Sequence, residues 1–183
     1  MMTTINTEKE LVEQFKRKFG ANLKDIKIEE HTAGVKKNKY LEAWLRIDRN
    51  ILKEAVKYLC TVSSYPHISI ISGNDIGDNI ELLYHFIIYY GSPPVKRLSL
   101  HLCTLIPKAD LHIESICDII PGALITEREN QDMLGVKIDN IPDSRRIFLP
   151  DDFPDGIYPW RKDDTGIPEN MIKNLYIEAK KQK

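Results

Sequence analysis

The sequence predicts an α+β domain, a mostly antiparallel mixed sheet covered by helices, followed by an extended proline-rich C-terminal tail. Three observations carry this prediction. Helix-like and strand-like stretches follow one another as helix, two strands, helix, three strands, helix, tail, with no run of βαβ units and no Rossmann glycines. Charge is concentrated at the two ends: residues 1–60 hold 22 Asp, Glu, Lys and Arg, residues 61–126 only 9, and residues 127–183 again 22, so the middle third is the core. Five of the ten prolines fall between residues 142 and 168, where neither a helix nor a central strand can persist. We therefore expect a single domain over residues 1–140 and a tail over residues 141–183, with a short helix near its C-terminal end.

A chain of 183 residues is long enough for one core of ordinary size. Its 26 basic and 27 acidic residues nearly cancel, so no global field draws it to nucleic acid or an anionic membrane. The longest apolar run, residues 82–90, contains His85 and is about half the length that spans a bilayer. With no basic flank and apolar run at the N-terminus, a soluble intracellular protein is expected. Cys60, Cys103 and Cys117 are odd in number, far apart and form no CxxC pair, as suits reduced thiols better than a disulfide framework or a cluster site.

Thr7 and Glu10 form a capping-box pair ahead of Leu11, Phe15 and Phe19, predicting a helix over residues 8–19 that ends at Gly20. Ile26 and Ile28 alternate with charged residues, and with residues 40–47 they predict a hairpin with its tip at 34–39. Asp48 or Asn50 caps a second helix carrying Ile51, Leu52, Ala55, Val56 and Leu59. Strands follow at 67–71, 82–90 and 98–106, the first two as a hairpin around 73–79. His85, His101 and Cys103 are candidate metal ligands, but two on one strand fall short of the usual three or four, so no metal is expected.

SICDII, from Ser115, reads as a short helical segment ending at Pro121-Gly122, and a further helix ends at Gly135. Thr126 and Glu129 also fit a capping box, which leaves that helix a later alternative start. Its apolar residues, Ala123, Leu124, Ile125, Met133 and Leu134, do not gather on one stripe, so the helix is expected to be contacted on more than one side. In the tail, Ile147, Phe148, Leu149, Phe153, Ile157, Tyr158 and Trp160 lie among prolines and acids, unlike a disordered linker. Extended, the 27 residues from 142 to 168 reach at most about 90 Å. The radius of gyration of a compact chain of this size is roughly 16 Å, so the tail is able to leave its domain and lie along a neighbour.

Several residues carry a family resemblance. Glu127-Arg128-Glu129, Asp132-Met133-Leu134-Gly135, Pro142-Asp143, Arg145-Arg146 and Pro159-Trp160-Arg161-Lys162-Asp163, preceded by SICDIIPGA, closely resemble the signature of the thirty-kilodalton subunit of respiratory complex I, the NADH-quinone oxidoreductase. Ile141 stands where that family usually has His or Lys, and LPDDFPDGIYPWRKDDTGIPE departs from its usual pattern. In this the chain looks more like the short counterpart in membrane-bound, energy-converting nickel-iron hydrogenases of archaea and anaerobes.

The resemblance implies a non-catalytic hydrophilic-arm subunit docked on a large subunit that holds the nickel-iron site, or the quinone pocket in complex I. A small iron-sulfur subunit is the other expected partner. The chain would hold no flavin, cluster or metal of its own, the nickel-iron site and iron-sulfur clusters belonging to its partners. It would lie on the cytoplasmic side, peripheral to the membrane through those partners. The expected interface with other subunits comprises Glu127, Arg128, Glu129, Asp132, Arg145, Arg146, Phe153, Tyr158, Trp160 and Arg161, with Glu127, Glu129 and Asp132 paired to Arg145, Arg146 or arginines of the partner. Three other readings compete. The thirty-kilodalton subunit of a quinone- or other acceptor-linked respiratory dehydrogenase is one; a stand-alone acid–base enzyme using Glu127, Glu129 and Asp132 is another. The third is a nucleic-acid binder using FKRKFG and GVKKNKY, which near-neutral charge disfavours.

Overall fold

The computed structural model describes residues 7–62, 65–90 and 97–172. Helix α1 spans Glu8–Phe19, and the Thr7 side chain accepts from the Glu10 N–H as the capping box requires. Strands β1 (Leu23–Ala33) and β2 (Asn38–Ile47) form the first hairpin. Gly34 and Lys37 take positive φ at its tip. Asp48 caps a short 3-10 turn by accepting from Asn50 N–H at 3.1 Å, and helix α2 (Leu52–Val62) follows.

Strands β3 (His67–Asp75), β4 (Asn79–Ile88) and β5 (Leu98–Pro107) complete a five-stranded sheet in the order β1-β2-β5-β4-β3. The β2–β5 pair is parallel and the others are antiparallel, as a mixed sheet requires. The hairpin tip between β3 and β4 is tighter than the sequence indicates. Gly73, Asn74 and Asp75 still pair with Leu82, Glu81 and Ile80, and Gly77 turns the chain with φ of 86°. GSPP lies at residues 91–94, outside the described residues.

The SICDII expectation is corrected. Short strand β6 (His112–Glu114) pairs in parallel with β7 (Lys137–Asp139), and the following residues make one turn, in which Ile119 and Ile120 N–H both donate to Ile116 O. A stretch this short between a strand and Pro121 cannot repay the cost of helix nucleation. Helix α3 (Leu124–Leu134) is entered through a 3-10 turn at Pro121–Ala123, so the capping box at Thr126 is not used. It stops at Gly135, whose φ of 70° is the left-handed C-cap conformation.

All three helices cover one face of the sheet. Leu11, Val12, Phe15 and Phe19 of α1 and Leu52, Ala55, Val56 and Leu59 of α2 pack with Leu45, Leu100 and Leu102. Helix α3 lies on β3. Burial along β4 alternates strictly, with Ile80, Leu82, Tyr84, Phe86 and Ile88 inward. The opposite face, which carries Glu42, Trp44, Leu83, His85 and His101, bears no helix among the described residues. Beyond β7 the chain runs without regular structure to a 3-10 turn at Glu169–Met171; residues 173–183 lie outside the described residues, and with them most of the stretch where a terminal helix is expected.

Candidate functional site on the third helix and the tail

The inward stripe of α3 is partly polar, which is why its apolar residues show no single face. Ala123, Glu127, Asn130 and Leu134, at helical spacing, are all buried. Glu127 is 1% exposed and accepts three bonds, from Ser115 Oγ at 2.7 Å, Ile116 N at 2.8 Å and Cys117 Sγ at 3.1 Å. Its carboxylate thus holds the SICDII turn in place. Burial first, and then the neighbouring Glu127 carboxylate, push the Cys117 thiol up to about 11, so it stays protonated. Asn130 donates to Ile71 O at 2.8 Å and to Thr126 O at 2.7 Å, tying α3 to β3. The approach is close enough that a β-carbon on Gly73 would meet Asn130 Oδ1 at 2.2 Å.

The other side of α3 holds the tail. Asp132 Oδ2 accepts the backbone N–H groups of Ile147 and Phe148, both at 2.9 Å, and of Leu149 at 3.3 Å. Arg128 donates to the carbonyls of Arg145 and Arg146 and pairs with Asp143 at 3.3 Å. Asp143 in turn accepts from the Arg145 side chain and backbone N–H, which holds its carboxyl well below the usual carboxylate range. Arg146 folds over the next loop, donating to the carbonyls of Pro150, Asp151 and Phe153 and to Asp155.

Further on, the tail closes the C-terminal end of α3. Trp160 N donates to Met133 O at 3.0 Å, and Arg161 Nε to Leu134 O at 2.6 Å. A guanidinium there satisfies a last-turn carbonyl and complements the helix dipole. Arg161 is 8% exposed and stacks over Tyr158, whose ring lies on Gly135. Asp75, 3% exposed at the end of β3, then accepts from Lys162 N at 2.8 Å and Lys108 Nζ at 2.9 Å. Lys108 also pairs with Asp163.

These bonds correct part of the expected pairing. None of the acids of α3 is paired with Arg145 or Arg146: Glu127 faces the SICDII turn, Asp132 takes backbone N–H groups, and Glu129 has no hydrogen-bond or ion-pair partner among the described residues. The helix contributes its cation instead, through Arg128. Hydrogen bonds from backbone N–H groups to an ionised carboxylate are charge-assisted and roughly twice as strong as neutral ones. Glu127 and Arg161 are buried and committed to internal bonds. The tail does not leave the domain between residues 145 and 163; there it is a strap. Glu127 and Asp132 lie on different sides of α3 with their donors in place, which removes the geometric basis for an acid–base pair.

The strap presents both apolar and charged side chains outward: Ile147, Phe148 and Trp160 are exposed, Phe148 and Trp160 at 49% and 43%, beside exposed Arg145, Asp151, Asp152 and Asp155. Ile125 of α3 and Ile167, Met171 and Ile172 beyond the strap are exposed as well. Phe153 and Tyr158 are half-buried. Sequence reasoning missed Asn130, Asp143, Asp75, Lys108 and Gly73 as parts of this site. The spacing 123, 127, 130, 134 could have exposed the polar stripe, but Asp75 and Lys108 carry no such signal.

The chain is thus an α+β domain whose third helix is clamped by a folded-back strap, with Ile147, Phe148 and Trp160 exposed on the strap's outer side. Residues 45–169 match the family described as respiratory-chain NADH dehydrogenase, 30 Kd subunit, and the chain belongs to that family. It is 41% identical over 142 residues to the membrane-bound hydrogenase subunit beta of Pyrococcus furiosus, covering 76% of this chain and 81% of the relative. It is 33% identical to a subunit of the F(420)H(2) dehydrogenase of Methanosarcina mazei, covering 70% of this chain and 79% of that one. A chain in the structure of the membrane-bound sulfane sulfur reductase, an archaeal respiratory membrane complex, shares the fold with a TM-score of 0.68 at 20% identity, over 96% of this chain and 91% of that one.

Proposed function

We propose that this chain is a non-catalytic hydrophilic-arm subunit of a complex-I-like membrane-bound oxidoreductase, an energy-converting nickel-iron hydrogenase, in which the outer face of the strap docks on the large catalytic subunit. The observation that carries this reading is the exposure of Ile147, Phe148 and Trp160 on backbone that Asp132 and Met133 already hold. A segment anchored before it binds loses less conformational entropy on docking, and aromatic anchors dominate interface energetics. Similarity to a membrane-bound hydrogenase subunit supports the hydrogenase assignment. No helix among the described residues is long and apolar enough to cross a membrane, which accords with attachment through partners on the cytoplasmic side. The nickel-iron site and iron-sulfur clusters then belong to the large and small partner subunits.

The similarity to an F(420)H(2) dehydrogenase subunit favours one second reading, the corresponding subunit of a quinone- or other acceptor-linked dehydrogenase. The neighbouring reading frames distinguish the two: a large subunit with two pairs of nickel-ligating cysteines marks a hydrogenase, and its lack of them a reductase. Docking itself is tested by co-purifying the tagged chain with that large subunit. Phe148→Ala with Trp160→Ala should reduce recovery of the complex while the free chain stays folded, and unchanged recovery would sink the docking reading.

A further inference from the structure

The open face of the sheet holds a group of side chains that docking through the strap leaves unused. Glu29 and His31, two apart on β1, share a face. Glu42 of β2 is the register partner of Glu29, and His101 of β5 stands diagonally beyond it, since Glu42 pairs with Ser99. His31 Nε2 lies 3.3 Å from Glu29 Oε2 and 3.5 Å from Glu42 Oε2, and one ligand atom from each of the three falls within 4.8 Å of the others. His101 Nε2 lies 3.8 Å from the same Glu42 oxygen. Lys27 occupies only the other oxygen of Glu29.

Two features of this group call for a cation. Carboxylates placed directly opposite each other on antiparallel strands repel. His101, 9% exposed, buries Nε2 with no hydrogen-bond partner, an arrangement that is costly for a ring nitrogen shut off from water.

We propose that Glu29, His31, Glu42 and His101 bind one first-row divalent cation, with zinc as the ion that fits best. Zinc bonds imidazole nitrogen and carboxylate oxygen at about 2.0–2.2 Å, and a tetrahedron of such bonds has edges of about 3.3–3.6 Å. The His31–Glu29 and His31–Glu42 separations of 3.3 and 3.5 Å match such edges, and His101 Nε2, 3.8 Å from Glu42, joins as the fourth ligand by closing in on the ion. A mixed nitrogen and oxygen donor set suits zinc over calcium or magnesium, which prefer oxygen alone.

The surroundings orient His101 as a ligand. Its ring stacks on Trp44 at 4.0 Å, its Nδ1 lies 2.7 Å from His85 Nδ1, and His85 Nε2 lies 2.7 Å from Ser72 Oγ. With a proton on His101 Nδ1 donated to His85, and His85 Nε2–H donated to Ser72, the His101 Nε2 lone pair faces Glu42. Four protein ligands close the coordination sphere, so the site is structural, and it fastens edge strand β1 and strand β2 to β5.

The test uses the full chain stripped of metal with a chelator, then titrated with zinc chloride by calorimetry and followed by thermal unfolding. One zinc per chain and a raised melting temperature are expected. His31→Ala and Glu42→Gln, both at partly exposed positions, should each weaken binding at least about tenfold, as should Ser72→Ala acting through His85. His112→Ala, outside the group, should bind as the unaltered chain does. The cobalt(II) form should show nitrogen and oxygen ligation without a thiolate charge-transfer band. Absence of zinc binding, affinity unchanged in His31→Ala and Glu42→Gln, or a thiolate band would overturn the proposal. None of these readouts depends on the docking reading.

Discussion

The ring of Tyr158 rests on Gly135 so closely that a β-carbon there would lie 2.5 Å from the ring's Cζ. Gly135 also needs its φ of 70°, where an L-residue is strained. Gly135→Ala should therefore destabilise the protein by about 1–3 kcal/mol through overpacking and backbone strain together. A urea midpoint equal to that of the unaltered protein would contradict this account of the strap's seat.

Asp132 gathers three backbone N–H groups on one carboxylate oxygen. Asp132→Ala removes their acceptor at a cost of about 1–3 kcal/mol, concentrated in the strap. Hydrogen exchange at residues 147–149 should quicken while β4 and β5 keep their protection. Uniform protection across both would show that Asp132 does not hold the tail.

Glu127 and Glu129 are two residues apart and should respond differently. Glu127→Ala leaves the Ile116 N–H buried without its acceptor, and a loss of about 1–3 kcal/mol is expected. Glu129→Ala should stay within about 0.5 kcal/mol, as an ordinary surface change does. Equal denaturation curves for the two variants would refute the buried-acceptor role.

The end of the strap should be sensitive to acid. Burial raises the Asp75 carboxyl, but its bonds from Lys108 and Lys162 N–H outweigh that and hold it below the ordinary value. Lys108, and then Thr165, hold Asp163 well below the carboxylate range. Both folded values are depressed, so the stabilisation is complete above the unfolded value of about 3.9 and is lost as pH falls through the folded ones. Trp160 fluorescence, read in a Trp44→Phe background, should be flat from neutral pH to about 5 and change below about 4. In Asp75→Asn that change should shrink, and an unaltered acid transition would contradict the latch.

On the open face the pH response has a different origin. Burial, then the neighbouring His85, lowers the His101 imidazole to about 4, so its charged form is the one the fold resists. A buried neutral histidine favours the folded state above its unfolded value of about 6.5, while protonation of the unfolded chain below that value draws stability away. In the chain stripped of metal, His101→Gln should reduce the loss of stability between about pH 6.5 and 4, measured by urea unfolding across that window. An identical pH slope would refute the assignment.

Local chemistry was readable wherever one stretch of chain suffices. The Thr7 cap, the α1 and α2 stripes, the first hairpin and the Gly135 stop all rest on residues within a few positions of one another. The polar stripe of α3 was hidden because periodicity is sought in apolar residues, and Glu127 and Asn130 are buried by virtue of partners at Ser115, Ile116 and Ile71. In SICDII the apolar spacing imitated a helix, while the backbone donors went to a side chain on another element.

The α+β order, the family signature and the apolar character of the tail are legible in the chain because each is written in residue type and near spacing. Tertiary structure alone decided where the tail goes, since Lys162 meets Asp75 across 87 residues of chain. It alone brought Glu29, Glu42 and His101 together, because they come from three strands joined by one antiparallel and one parallel register. Pairing between distant segments is set by the packing of the whole core, and no local pattern encodes it.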